Sequence, residues 1–369
     1  MARHSSGHHP FDAALVYSPL AMAWQFRKSC AHHPSAGGLG VSEHISVVIP
    51  NWNGERWLPT CLDSLRAQTY TDFRVYVVDN GSIDGSVALM RRDYPEVSIV
   101  ESAENLGFAG GMNLGFDAAR GDILVALNND VETDPAWLET LAKAMDSRPD
   151  IGLAASQLMD FRDRDVIDSV GDWFAPIGLS RKAGAGKRAA GIGDDLMPVQ
   201  SPCAAASAYR REVLEDISAF DTDFFAYMED VDLGLRAQIA GYDCAFVPGA
   251  LVYHIGSATS GGTASAFSIR LTVRNTYQVM LKNLPAPLLP VWIPLTFGMH
   301  MAALTLSFLP MSPRWLARNR AALVQGLGAA LQEAPRSMRK RRRSRPIRRR
   351  GTIAFLQNYW QTRMFHRSI

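Results

Sequence analysis

The amino-acid sequence predicts an α/β fold in which a mostly parallel central sheet is flanked by helices, with a helical extension at the carboxyl end. Two observations carry that prediction. From Ile45 onward, short β-branched runs alternate with amphipathic stretches, and later an uncharged segment gives way to a run of arginines. Strands that read as continuous apolar runs between helices belong to parallel sheets covered on both faces.

The first half supplies four strands, Ile45–Pro50, Phe73–Asp79, Val97–Glu101 and Ile123–Leu127. Between and after them lie helical patterns at Glu55–Gln68, Ser86–Tyr94, Ala109–Ala119 and Pro135–Ser147. Ala204–Tyr209 reads as a further strand. Glu229–Ala240 reads as a helix closed by Gly241, with Val231, Leu235 and Ile239 one turn apart on its inner face. Residues 160–198 are rich in Asp, Arg and Gly, and Lys182–Gly193 is expected to be a mobile loop. It is no phosphate cradle, because Gly186-Lys187 is followed by Arg188 and no strand precedes it.

At 369 residues, 47% hydrophobic and 20% charged, the chain has the material for a full core and is not disordered. Its formal net charge of +2 hides an asymmetry: ten Lys and Arg between Arg336 and Arg350, with no acid among them, leave the remainder at −8. No aromatic residues interleave with those arginines and the rest is acidic, which disfavours nucleic acid as a partner. Cys30, Cys61, Cys203 and Cys244 lack CxxC spacing, which excludes a zinc or disulfide framework and suits a reducing cytoplasm. Residues 1–43 are expected to form a loose tail. Six of the nine histidines lie within the first 44 residues, a conceivable metal-binding set, and Ala13–Trp24, broken by Ser18 and Pro19, makes a poor signal peptide.

Three acidic clusters stand at the ends of elements: Asp79-Asn-Gly-Ser-Ile-Asp84, Asn128-Asn-Asp130 and Glu229-Asp230-Val-Asp232. Open α/β sheets bind ligands beyond the carboxyl ends of their strands, so the three can serve one site. One carboxylate there can meet a nucleoside, a second can hold a hard cation and a third can act as a base. Taken singly, each also reads as a turn or a helix cap.

The residues resemble the family 2 inverting glycosyltransferases of GT-A fold, in their rhamnosyltransferase-like branch. The resemblance runs in order over residues 45–285. It includes Val47-Val-Ile-Pro-Asn-Trp-Asn-Gly54, Val78-Asp-Asn-Gly-Ser82, Asn105-Leu-Gly-Phe-Ala-Gly-Gly-Met-Asn113, Leu127-Asn-Asn-Asp130 and Cys203-Ala-Ala-Ala-Ser-Ala-Tyr-Arg-Arg-Glu212. It continues through Phe224-Phe-Ala-Tyr-Met-Glu-Asp-Val-Asp-Leu233, Val252-Tyr-His-Ile-Gly-Ser-Ala-Thr259 and Arg274-Asn275.

That resemblance implies a nucleotide diphosphate-sugar donor bound by Pro50, Asn53, Asp79, Ser82, Asn105, Asn113, Asn128 and Asn129, with Pro50, Asn53 and Asp79 at the nucleoside. Asn128-Asn129-Asp130 stands where the family has its DXD motif. Asp130 is then the ligand of Mg²⁺ or Mn²⁺, although Asn in the first position leaves one carboxylate for the ion. His254 joins as a second ligand or a diphosphate contact. Asp230, with Glu229 beside it, is the catalytic carboxylate that deprotonates the acceptor hydroxyl. Arg210 and Arg211 read equally well as phosphate contacts or surface ion pairs, and Trp52, Trp173 and Phe174 are assigned to the core rather than to stacking. The Gln-x-x-Arg-Trp motif of processive relatives is missing from the sequence, which favours one transfer per encounter.

Leu284–Pro310 holds no Asp, Glu, Lys or Arg. Its cleanest helical part, Leu295–Leu309, spans about 22 Å at 1.5 Å per residue, less than the roughly 30 Å hydrocarbon core. A monotopic or re-entrant attachment at the cytoplasmic face of a membrane follows, aided by the arginine run, with a glycan or polyprenyl-linked saccharide as acceptor. The domain expectation is a tail at 1–43, a catalytic domain at 44–283, apolar and amphipathic helices at 284–335 and a basic tail at 336–369. Two rival readings are a sugar-phosphate nucleotidyltransferase, disfavoured by Pro50-Asn-Trp-Asn-Gly54 where that class carries a Gly- and Arg/Lys-rich signature, and a non-catalytic sugar-binding membrane protein.

Overall fold

The structure, a computed structural model, describes residues 43–256 and 265–368. The expected tail with its histidines, apart from His44, and the Ser257–Thr259 end of one matched motif lie outside the described residues.

The chain begins with β1 (Ile45–Asn51), α1 (Leu58–Arg66), β2 (Phe73–Asn80), α2 (Ser86–Asp93), β3 (Ser98–Ser102), α3 (Gly107–Ala118) and β4 (Ile123–Leu127). It continues through β5 (Val131–Thr133), α4 (Trp137–Ser147), β6 (Ile151–Asp160), β7 (Ile167–Ser169) and a hairpin of β8 (Asp172–Ala175) and β9 (Leu179–Lys182). Next come β10 (Met197–Pro198), β11 (Ala206–Arg210), α5 (Arg211–Ile217), α6 (Glu229–Ala240) and β12 (Asp243–His254). The helices α7 (Ala266–Asn283), α8 (Leu289–Leu306), α9 (Arg314–Arg318), α10 (Arg320–Arg343) and α11 (Thr352–Ser368) follow.

The main sheet has the order β10-β12-β6-β11-β4-β1-β2-β3, with β5 on β12 and β7 on β6. Parallel pairs join β3, β2, β1 and β4, and β12 to β6, whereas β11 runs antiparallel between β4 and β6. The β1 strand buries six of its seven residues because α3 covers one sheet face and α1 and α4 the other. Since α1 leads from β1 to β2 on one side while β4 lies on the other, the strand order reverses between β1 and β4. A crevice opens at such a reversal. Close approach of α3 needs glycine: a Cβ at Gly115 would lie 2.2 Å from Val48 Cγ1 and 2.8 Å from Val78 Cγ2.

Three segments differ from the sequence expectation. The 182–193 stretch is tied to the strand before it, with Ile167 N–H donating to the Lys187 carbonyl (2.8 Å), Gly186 N–H to Ile167 (2.9 Å) and Ala189 N–H to Asp165 (2.9 Å). The apolar helix starts at Leu289, six residues before Leu295. Pro290 occupies its first turn, where a missing N–H is harmless, and Pro294 forfeits one hydrogen bond. Finally, the basic stretch is not a tail: α10 carries it to Arg343 along α7, and α11 follows. Intramolecular partners explain this order. Arg341 and Arg348 donate to carbonyls at the end of α7, Arg349 pairs with Asp216 (2.7 Å) and Arg350 with Asp243 (2.8 Å).

Candidate functional site

Side chains lock together the loops that leave β1, β2 and β4. Asn53 sits at φ 51°, and its Oδ1 accepts from Ile83 N (2.8 Å), while Ser82 Oγ accepts from Asn53 N (2.9 Å). Across the strand reversal, Asn129 Nδ2 donates to Asn51 Oδ1 (2.8 Å). Asn80 reaches the loop before α3, accepting from Leu106 N (2.9 Å) and donating to the Gly107 carbonyl (3.0 Å). Asp79 accepts from Ser82 N on one carboxylate oxygen (3.3 Å), and its other oxygen is buried without a hydrogen-bond partner. A buried acceptor of that kind calls for an N–H or O–H from a ligand.

These loops border one cleft of about 580 Å³, which Pro50, Asn105, Asn128, Asn129, Asp130, Glu229, Asp230 and His254 also line. Of the three acidic clusters, the structure brings residues 128–130 and the first turn of α6 to this cleft, whereas Asp79 does not line it. Asn53 and Ser82 instead brace the loops around the cleft. Asn113 is not brought there, because its amide bridges both backbone groups of Phe220 (2.8 and 3.0 Å). Arg210 and Arg211 are likewise spent on backbone carbonyls, of Ile151 and Gly121 respectively (both 2.8 Å). Trp173 stacks on Tyr359 and Phe174 is core, whereas Trp52 does line the cleft.

On one side of the cleft, charges alternate. Asp130 Oδ1 lies 3.5 Å from His254 Nε2, His254 Nδ1 lies 2.8 Å from Asp168 Oδ2, and Lys182 Nζ lies 2.8 Å from the same Asp168 oxygen. Burial disfavours the imidazolium, but the two carboxylates outweigh it and raise the His254 pKa to about 9. Burial likewise opposes ionisation of Asp168, yet the His254 hydrogen bond and the Lys182 charge lower its pKa to about 2. Asn128 Nδ2 lies 3.4 Å from His254 Nε2. Once an ion displaces the Nε2 proton of His254, a carboxylate oxygen, an imidazole nitrogen oriented from behind by a carboxylate and an adjacent amide form a donor set that fits Mg²⁺ or Mn²⁺, with a ligand's phosphate oxygens completing the shell.

A second part of the lining is built by α6. Three residues before it take positive φ, Phe225 (63°), Tyr227 (68°) and Met228 (70°). Asn275 Nδ2 holds this turn by donating to the carbonyls of Phe224 (3.1 Å), Ala226 (2.9 Å) and Tyr227 (2.7 Å), and Arg274 donates to Phe224 (2.7 Å). The strained turn thus presents Glu229 and Asp230 to the cleft, at a helix end that favours negative charge. Asp230 accepts from Val231 N (2.7 Å) and Ala204 N (3.2 Å), and Ser201 Oγ bonds its carbonyl (2.7 Å). Asp232 faces inward instead, pairing with Arg236 (2.8 Å) and Lys282 (2.7 Å).

Asp172, from the β8–β9 hairpin, comes within 4.8 Å of both Asp230 and Cys203. Burial raises the Asp230 pKa, while its backbone donors and a hydrogen bond from Asp172 pull the other way. Burial and the Asp230 charge push Asp172 well above the ordinary carboxylate range. Glu229 is also pushed well above, first by burial and then by Asp230, and its Oε2 is buried without a partner. Sequence reasoning missed Asp168, Asp172 and Lys182, which lie in a stretch whose many polar residues gave no single one of them away.

Residues 46–218 match the sequence model described as Glycosyl transferase family 2. The N-acetylglucosaminyl-diphospho-decaprenol L-rhamnosyltransferase of Mycobacterium tuberculosis is 27% identical over 259 residues, 64% of this chain and 84% of that protein. The uncharacterized protein y4gI of Sinorhizobium fredii is 27% identical over 232 residues, 59% of this chain but a quarter (25%) of its own length. Among solved structures, GalNAc-T7 with UDP, GalNAc and Mn²⁺ superposes with a TM-score of 0.53 at 14% identity, covering 82% of this chain and 58% of that one. The likeness in structure is one of fold, and the fold is GT-A.

Proposed function

We propose that this chain, a glycosyltransferase of family 2, moves one sugar from a nucleotide diphosphate-sugar to a hydroxyl of a glycan or lipid-linked saccharide, with inversion, at the cytoplasmic face of a membrane. The observation that carries the proposal is that Asp130 and Asp230, one hundred residues apart in sequence, line one cleft. The relative named as a rhamnosyltransferase acting on a diphospho-decaprenol-linked sugar supports a deoxyhexose donor such as dTDP-rhamnose and a lipid-linked acceptor. UDP- and GDP-sugars are compatible with the same site, and synthesis of a cell-envelope polysaccharide is the fitting context.

The chemistry follows from the separation of charge. The β2 loop is assigned to the nucleoside because Asp79 Oδ1 is buried there without a hydrogen-bond partner, and Asn105 and Asn129 line the cleft beside it. Asp130 and His254 would hold Mg²⁺ or Mn²⁺, which neutralises diphosphate charge when bound. Asp230 takes the proton of the acceptor hydroxyl, which attacks the anomeric carbon from the face opposite the diphosphate. A single displacement then inverts the configuration. Glu229, held neutral, offers a hydrogen bond to a sugar or acceptor oxygen.

Asp230→Asn keeps size and shape but cannot accept the proton, and a positioned base contributes roughly 10²–10⁴-fold. Transfer should fall by that factor while a cognate nucleotide sugar still raises the unfolding temperature. Asp130→Ala should lose the metal-dependent part of that thermal protection. Undiminished transfer by both variants would remove the assigned roles.

A further inference from the structure

The structure describes one surface that glycosyl transfer does not use. Along α8 one stripe packs inward, with Trp292, Ile293, Thr296 and Ala303 against α7 and α10. The opposite stripe is apolar and open, including Val291 (55% exposed), Leu295 (52%) and Leu306 (52%), and it continues into Phe308 (65%), Met311 (96%) and Trp315 (52%). The stretch Ala286–Leu306 has a mean hydropathy of 1.4 with 11% of it buried. A patch of this size on a soluble surface marks a site of interaction.

At 21 residues the stretch is about 31 Å long, enough by length to cross a bilayer. Its neighbours prevent that. The α8 helix runs antiparallel to α7 along much of its length, with Thr296 Oγ1 3.6 Å from Met280 Sδ and Tyr277 OH 3.0 Å from His300 Nδ1. Crossing would drag Arg274 and Lys282 of α7, with their carboxylate partners, into hydrocarbon. Lying flat exposes only the open stripe.

Charge identifies the occupant. From residue 244 to 369 the sequence holds one acidic residue, Glu333, against eighteen Lys and Arg, of which Lys282, Arg336, Lys340, Arg349 and Arg350 pair with carboxylates upstream. Arg314 and Arg318 are exposed on either side of Trp315, and Arg339, Arg342, Arg343 and Arg345 are exposed on and just beyond α10. An apolar face bordered by arginines suits an anionic lipid surface and would repel a second copy of itself.

We propose that α8, the turn after it and α9 form an in-plane docking surface for a bilayer containing anionic lipid, placed so that a membrane-borne acceptor meets the catalytic cleft. The second clause rests on the function proposed above; the first does not. The placement comes from α7. Its first turns put Phe267, Ser268 and Thr272 into the cleft wall, while Ile269, Val273 and Tyr277 pack with Ala303, Leu316 and Leu323 of α8, α9 and α10. The apolar surface around Phe308 and Trp315 therefore lies at the cleft end of the helical layer.

The full-length protein should sediment with phosphatidylcholine vesicles containing a quarter phosphatidylglycerol, and bind pure phosphatidylcholine at least about tenfold more weakly. Phe308→Glu with Met311→Glu should weaken binding at least about 100-fold, since each large apolar side chain contributes about tenfold or more. Arg314→Glu with Arg318→Glu should abolish the preference for anionic lipid. Both pairs are solvent-facing, so thermal unfolding and nucleotide-sugar binding should match wild type. Equal vesicle binding by wild type and the Phe308/Met311 variant overturns the docking surface, as does a lipid-free dimer that this variant dissociates. If vesicles bind as expected but the variant still uses a lipid-linked acceptor as well as a water-soluble one, the acceptor route alone is overturned.

Discussion

Replacing Asp172 tests how the base is kept ready. Its carboxyl lies within 4.8 Å of Asp230, and both groups are pushed upward first by burial. With the proton on Asp172, a hydrogen bond from it favours the charged form of Asp230. A hydrogen bond to a charged group contributes about 1.5–3 kcal/mol. At about 1.36 kcal/mol per pKa unit, Asp172→Ala should raise the Asp230 pKa by about one to two units. The sign is fixed by role: Asp230 is active when deprotonated, so activity is present above its pKa and lost as pH falls through it. The acid limb of kcat/KM, which reports the free enzyme, should already lie above the ordinary carboxylate range in wild type and move further up in Asp172→Ala. Asp172→Asn retains a donor and should move the limb by less than about half a unit. An unmoved or lowered limb in Asp172→Ala, with a normal unfolding temperature, would refute the shared-proton argument.

Two further perturbations separate the halves of the site. Asp168→Asn removes the carboxylate behind His254 Nδ1, and loss of such an outer partner typically weakens metal affinity about 10–100-fold; a Mn²⁺ titration of activity should shift by that factor, and an unchanged midpoint would show that His254 is no ligand. Asn275→Ala strands three carbonyls of the positive-φ turn before Asp230, so kcat should fall about tenfold or more while KM for the donor stays near wild type, and Asn275→Gln, one methylene too long, should not restore it. An equal loss in KM would mean that the turn shapes the donor side instead.

Of the first four strands, β1, β2 and β4 were legible as largely buried apolar runs, with β3 a half-buried edge strand, and α6 was legible because Val231, Leu235 and Ile239 recur at one-turn spacing before Gly241. Asp130 follows β4, His254 ends β12 and Asp230 lies in the first turn of α6, and the family resemblance singled them out. The β8–β9 hairpin was not. Arg181 and Lys182 at its end, followed by glycines, carry the composition of a loop, and its order comes from Asp172 N–H bonding the distant Ser201 carbonyl (2.7 Å) and from Lys182 meeting Asp168. The arginine run misled for a related reason. Its partners Asp216, Asp221, Asp223 and Asp243 stand about a hundred residues upstream, so local composition showed only repulsion where the fold supplies neutralisation. Asn113 misled in the opposite direction, a polar residue within a matched motif whose task is to bridge Phe220 to α3.

The hairpin that eluded sequence reading joins everything else. Asp172 and Lys182 face each other across its two strands, yet Asp172 reaches the base while Lys182 ends the chain of charges that begins at Asp130. The β8–β9 pair therefore sets the spacing between proton acceptor and diphosphate side. Its turn is equally constrained, for Gly178 at φ 76° lies so near Thr276 of α7 and Thr296 of α8 that a Cβ there would come within 2.7 Å of both methyl groups. Thr296 is the buried residue of α8, directly behind the stripe proposed to meet lipid. A shift of α8 on a bilayer would consequently press on the turn that places both halves of the cleft. The interior is too closely packed to absorb such a shift locally, so the proposed docking surface and the proposed base share one packed framework.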